Sequence, residues 1–148
     1  MTYKEIVTYI EEIPRFTRKH SLAHTREMLL FLGNPQNGKK IIHVAGTNGK
    51  GSTGAYLERV LIEAGYRVGR YSSPAVFDPM EVWRINLQSM SHEEYADIME
   101  QVKCACDRME EKGMEHPTIF EVETAMAFLY FYQKKCDYVL LEVGMGGR

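Results

Sequence analysis

The segment Gly46-Thr47-Asn48-Gly49-Lys50-Gly51-Ser52 constrains this chain more than any other part of it. It follows a short β-rich run, Ile41-Ile42-His43-Val44-Ala45, and precedes a stretch with helical periodicity, Leu57, Val60 and Leu61, closed by Gly65. Glycines let backbone wrap closely around a phosphate, and amides at a helix start point toward it. The helix dipole favours negative charge at the same place. Lys50 adds a full positive charge for β- and γ-phosphates, and a hydroxyl beside it can ligate Mg²⁺. The segment departs from the common G-x-x-x-x-G-K-[ST] form, because Val44 stands at the first glycine and Gly51 separates Lys50 from Ser52. A glycine turn with an incidental lysine does not account for the strand before it and the helix after it, so the segment reads as a nucleotide phosphate loop.

The rest of the pattern gives an α/β fold. A short helix is predicted over Tyr3 to Ile10, stopped by Pro14, and a second one from a Ser21 cap to Leu32, closed by Gly33-Asn34-Pro35. Arg15 to His20 between them is a basic loop. The run at Ile41 is expected to be a buried strand, with His43 packed and hydrogen-bonded to backbone. Arg67 to Tyr71 reads as the next strand, so strand, loop, helix and strand form a βαβ unit with parallel strands. Val82 to Leu87 reads as a further strand. Ser91 and Glu94 form a capping box for a long helix ended by Gly113, and Thr118 and Glu121 another for a helix from Ile119 to about Lys134. The apolar run Tyr138 to Val143 reads as a central strand. Together these predict a P-loop-containing, mostly parallel sheet with flanking helices.

The chain has 148 residues, 45% hydrophobic and 26% charged, and one domain is the default at that size. A formal net charge of −2 gives no overall attraction for nucleic acid or an anionic membrane, so anions must be held locally. No apolar stretch approaches a membrane span, and Met1 to Phe16 lacks a secretory layout, so the reading is cytoplasmic. Cys104, Cys106 and Cys136 have no metal-ligand spacing and read as surface or core thiols.

The motif His43-Val-Ala-Gly-Thr-Asn-Gly-Lys-Gly-Ser52 resembles the phosphate loop of folylpolyglutamate and dihydrofolate synthases, within the Mur ligase superfamily. Three more segments resemble that family in order: Ser73-Pro74; Phe120-Glu121 with Thr124-Ala125-Met126-Ala127-Phe128; and Asp137 through Arg148. So does Leu32-Gly33-Asn34-Pro35-Gln36 before the first strand. The chain departs from the family at Ser72-Ser73-Pro74-Ala75 and at Glu81-Val82-Trp83, in a loop associated with the folate substrate. The resemblance implies ATP and Mg²⁺ as cofactors. Lys50 and the amides of Gly46, Thr47, Asn48, Gly49 and Gly51 would hold the triphosphate, Ser73 and Glu142 would ligate magnesium, and Ser52 would support the loop or the metal. A carboxylate at the tip of an apolar strand beside a phosphate loop suits that ligand role on its own terms. Lys50 and Glu142 are the candidate catalytic residues.

The implied reaction joins L-glutamate to folate or dihydropteroate through an acyl phosphate. The alternatives are a Mur-type peptidoglycan ligase, which the lysine-glycine-serine order disfavours, and a nucleotide-binding module without catalysis. Residues 1–148 are expected to be an incomplete N-terminal ATP-binding domain lacking the C-terminal glutamate-binding domain, and inactive alone. The complete enzyme is expected to be monomeric, binding small molecules but neither nucleic acid nor membrane. The strand at Tyr138 is expected to lie along an exposed edge of the shortened sheet, inviting self-association.

Overall fold

The computed structural model describes residues 1–13, 22–38, 40–44, 50–73 and 79–143. In chain order its elements are α1 (Tyr3–Glu12), α2 (Leu22–Phe31), β1 (Lys40–Val44), α3 (Lys50–Glu63), β2 (Val68–Ser73), a 3-10 turn (Pro79–Val82), β3 (Trp83–Ile85), β4 (Gln88–Ser89), α4 (His92–Glu111), α5 (Ile119–Gln133) and β5 (Tyr138–Val143). They fall into two compact units, Met1–Asn37 with His92–Tyr130, and Gly38–Ser91 with Phe131–Arg148.

The first unit is helical, and its helix ends are fixed by local chemistry. Thr2 caps α1 in a reciprocal box with Glu5, a signal the sequence reading passed over. Gly33 and Asn34 end α2 with φ of +83° and +53°, and Gly113 follows α4 at +83°. The Thr118–Glu121 box is present at the start of α5. The other oxygen of Glu121 accepts the Thr25 hydroxyl of α2 at 2.9 Å, so one side chain both caps α5 and ties α2. The expected apolar faces are inside: Tyr95, Ile98, Met99, Val102 and Met109 of α4, and Val122, Ala125 and Met126 of α5, are buried with Ile6 and Met28. Cys104 is exposed, while its neighbour two residues on, Cys106, is buried with its thiol pushed up to about 12 by burial.

The second unit is a five-stranded sheet in the order β1-β5-β2-β3-β4. β1, β5 and β2 run parallel; β3 and β4 add an antiparallel hairpin. The crossover from β1 through α3 to β2 therefore skips one strand position, and β5 fills it. Val139 and Leu140 are fully buried, as a strand covered on both faces requires. The expectation that β5 forms an exposed edge is thus corrected: the edges of the described sheet are β1 and β4. The same arrangement corrects the reading of β1 as a buried strand. With β5 as its one sheet neighbour among the described residues, β1 leaves Ile41 40% exposed and His43 exposed rather than packed.

The predicted strand from Val82 to Leu87 begins with a 3-10 turn and then breaks at Asn86 and Leu87, whose φ values of +46° and +72° fit the two-residue turn that right-twisted hairpins need. Asn86 also accepts the Val68 amide through its side-chain oxygen at 2.8 Å, tying the turn to the start of β2. On β2, Gly69 lies flat beneath the Phe131 ring, where an added Cβ would come within 2.6 Å of a ring carbon. Among the described residues no helix is long and apolar enough to cross a membrane.

Burial raises the Glu123 carboxyl on α5 to about 7. With the folded pKa above the unfolded one, the native state holds this proton longer. Its contribution is full below the unfolded value and is lost as pH rises through about 7. Glu123→Gln should therefore remove a pH-dependent loss on the order of 3 kcal/mol between pH 5 and 8. Denaturant titrations at the two pH values check this; parallel losses in both proteins would contradict it.

Candidate functional site

The carboxyl ends of the three parallel strands lie level, with Val44 of β1 and Ser72 of β2 both in register with Glu142 of β5. The chain leaves β1 at Val44 and returns as α3 at Lys50, so the phosphate-loop segment joins this edge to the start of α3. In open parallel sheets, ligand sites gather on this side.

α3 buries an unexpected pair. Its apolar residue Val60 is 45% exposed, whereas Glu58 is fully buried and Gly54, one turn earlier, is buried too. An added Cβ at Gly54 would collide with Oε2 of Glu142 and lie 3.2 Å from Nη2 of Arg70. Glycine is thus what lets α3 approach the end of β5. The guanidinium of Arg70 on β2 bridges the two acids: Nη1 donates to Oε1 of Glu58 at 3.0 Å, and Nη2 to Oε2 of Glu142 at 2.9 Å. Arg84 on β3 adds a second guanidinium 3.8 Å from Glu58. Ser72 donates its hydroxyl to the remaining oxygen of Glu142, Oε1, at 3.3 Å. Each buried charge thereby faces an opposite one, without which its desolvation would be several kcal/mol unfavourable.

Of the residues chosen from sequence, Glu142 is described in full. It is 8% exposed and ion-paired, which rules out a solvent-facing strand-end carboxylate. Lys50, Gly51 and Ser52 form the first turn of α3, and Ser73 ends β2 opposite Val143. Gly46, Thr47, Asn48 and Gly49 lie outside the described residues, as do the basic segment from Arg15 to His20, Pro74-Ala75 and the terminal Gly144 to Arg148. Sequence reasoning missed Glu58, Arg70 and Ser72. Gly54 and Glu58 at i and i+4 place a small residue and an acid on one helix face, but helix surfaces carry acids routinely, so that pairing gave no distinct signal.

The donor set suits a hard divalent cation. Glu142 offers a carboxylate oxygen that a serine hydroxyl alone touches at 3.3 Å among the described residues. Among those residues no group of three or more His, Cys, Asp or Glu side chains could hold a metal by itself. Magnesium sites built from one or two carboxylates completed by phosphate and water have this character.

The fold and this edge define the chain as the Mur ligase type of α/β protein, a mixed sheet with helices. Its relatives make the assignment narrower. The chain is 37% identical over 147 residues to the dihydrofolate synthase/folylpolyglutamate synthase of Bacillus subtilis, covering 99% of this chain and 34% of that protein. It superposes with a TM-score of 0.89 on a folylpolyglutamate synthase bound to AMPPCP and folate, at 34% identity, covering 97% of this chain and 35% of that one. It superposes with a TM-score of 0.85 on the Mycobacterium tuberculosis folylpolyglutamate synthase complexed with ADP, at 29% identity, covering 97% and 32% respectively. No protein-family model matches. Over the region it spans, the chain belongs to the folylpolyglutamate/dihydrofolate synthase family. It spans about a third of the length of these relatives.

Gly54→Ala should destabilise the second unit by about 1–3 kcal/mol, because the new methyl group must displace the Glu142 carboxylate or the Arg70 guanidinium. Thr53→Ala, at the exposed neighbouring position, should change stability by less than about 0.5 kcal/mol. Equal midpoints for the two variants in denaturant would show that α3 does not depend on close approach at Gly54.

Proposed function

We propose that this chain is the nucleotide-binding portion of an ATP-dependent ligase that adds L-glutamate to folate or dihydropteroate, acting in the cytoplasm. The observation that carries this reading is the placement of Glu142: a buried carboxylate level with the end of β1, on the edge from which the phosphate-loop segment runs into α3. Relatives crystallised with AMPPCP and folate, and with ADP, support both the nucleotide and the acceptor.

In this reading the amides of Gly46 to Gly51 and the start of α3 receive the triphosphate, and Lys50 stabilises the charge that moves between its β- and γ-phosphates. Glu142 would hold magnesium, with Ser73 and Ser52 as further oxygen donors. When bound, the ion would neutralise phosphate charge and align the transferring group. Burial of Glu142 beneath α3 keeps its carboxylate fixed before nucleotide arrives, so little reorganisation accompanies the chemistry.

A carboxylate is too poor an electrophile to accept an amine directly. Phosphoryl transfer from ATP to the acceptor carboxylate gives an acyl phosphate and ADP. The deprotonated amine of glutamate then adds to the acyl carbon, and inorganic phosphate leaves as the amide forms. We assign the glutamate site and the closing of the cleft to parts of the relatives beyond the third that this chain matches.

Lys50→Ala should weaken Mg-ATP binding by at least about tenfold while leaving the unfolding midpoint unchanged within about 0.5 kcal/mol. Titration calorimetry decides it; unchanged affinity would remove the phosphate-loop assignment. Glu142→Gln, close in shape but uncharged, should shift the magnesium dependence of nucleotide binding to higher concentration. A superimposable magnesium titration would take Glu142 out of the metal site.

A further inference from the structure

The established likeness assigns nothing to Arg70 or Glu58, yet these are the groups that hold Glu142 in place. A guanidinium fixed 2.9 Å from Oε2 leaves that oxygen committed, whereas Oε1 has the lighter tie to Ser72. The carboxylate is therefore oriented, with Oε2 held by the guanidinium and Oε1 held by the longer bond from Ser72. Its charge is also offset. A lone buried carboxylate attracts any divalent cation, but a carboxylate sharing its charge with a guanidinium attracts one much less. Glu58 helps Arg70 stay: fully buried and 3.0 Å from Nη1, it balances the guanidinium through the nitrogen that does not bind Glu142.

We propose that Arg70, supported by Glu58, is a positioning residue that orients Glu142 through Oε2 and offsets its charge, so that the site takes up a divalent cation together with a nucleotide and not the free cation. The phosphates supply the negative charge that Arg70 withholds. This rests on the nucleotide-site reading above, and it has a functional consequence: the ion enters as part of the metal–nucleotide pair, already coordinated to the group that will react. Free magnesium does not occupy the site ahead of the nucleotide.

The test measures Mn²⁺ binding by electron paramagnetic resonance on the nucleotide-free protein, beside calorimetry with Mg-ATP. Wild type should show no saturable Mn²⁺ site without nucleotide. Arg70→Gln should gain one, strengthening Mn²⁺ binding by about tenfold or more, the scale expected for losing one positive charge a few Å away. The same variant should bind Mg-ATP less tightly. Opposite signs in the two arms separate orientation from simple damage, which would weaken both. Adding Glu142→Gln to Arg70→Gln should abolish the new Mn²⁺ site. If Arg70→Gln does not fold, Glu58→Gln decides, since it keeps the bond to Glu142 while directing the whole Arg70 charge onto it: Mg-ATP affinity should fall several-fold. A saturable Mn²⁺ site in wild type, no gain in Arg70→Gln, or unchanged Mg-ATP affinity in Glu58→Gln overturns the proposal. Failure of wild type to bind Mg-ATP at all would instead overturn the nucleotide reading, and the Mn²⁺ arm would still decide the role of Arg70.

Discussion

A buried carboxylate needs a countercharge, and that requirement organises the sheet edge of this protein. Glu142 sits at the end of a strand with a buried apolar core, so its charge is costly until Arg70 reaches it from β2. Arg70 is itself buried, so it in turn requires Glu58 from α3. α3 can deliver Glu58 only by lying close to the sheet, and Gly54 is the residue that permits that distance. One polar side chain thus dictates the identity of three other residues on two different elements, β2 and α3. Hydrophobic burial would hold α3 to the sheet at least as strongly as this ionic chain does. The arrangement is better understood as geometry than as adhesion.

The parallel core shows why this edge and no other can serve. In register, Val44, Glu142 and Ser72 bring three strand ends to one level. A slip of one residue in β5 would turn Glu142 to the other face, away from Arg70. The apolar residues of β5 fix the register, and the register fixes the charge network. Packing and chemistry are therefore specified by the same six residues, Tyr138–Val143.

Much of this was legible beforehand, and what was not has identifiable causes. The strands β1, β2 and β5, the five helices and the glycine stops announced themselves through periodicity and turn chemistry, and Glu142 through its position at the tip of an apolar run. Strand order was not legible, because pairing depends on which strand fills the gap left by a crossover. For that reason Ile41 and His43, in a β-rich run, were read as interior when in the described sheet they lie on an edge strand. The hairpin was hidden because its turn uses Leu87 at φ +72° in place of the glycine that usually signals it. Glu58 was hidden because an acid on a helix is unremarkable until the sheet beneath it supplies an arginine. Thr2 and Glu5, by contrast, carried a readable capping box.

The place of β5 has a consequence for how the chain is made. The strand between β1 and β2 is synthesised after both of them, so in the described sheet these two strands have no parallel partner until residues 138–143 follow. Such pairing closes a large loop before any contact rewards it, and it is slow by nature. During translation β1 and β2 must wait with open backbone edges facing each other across an empty slot, a state in which any extended apolar segment of another chain could take the place of β5. The order of synthesis thus makes the slot between β1 and β2, which β5 later fills, a point at which the nascent protein is open to mispairing.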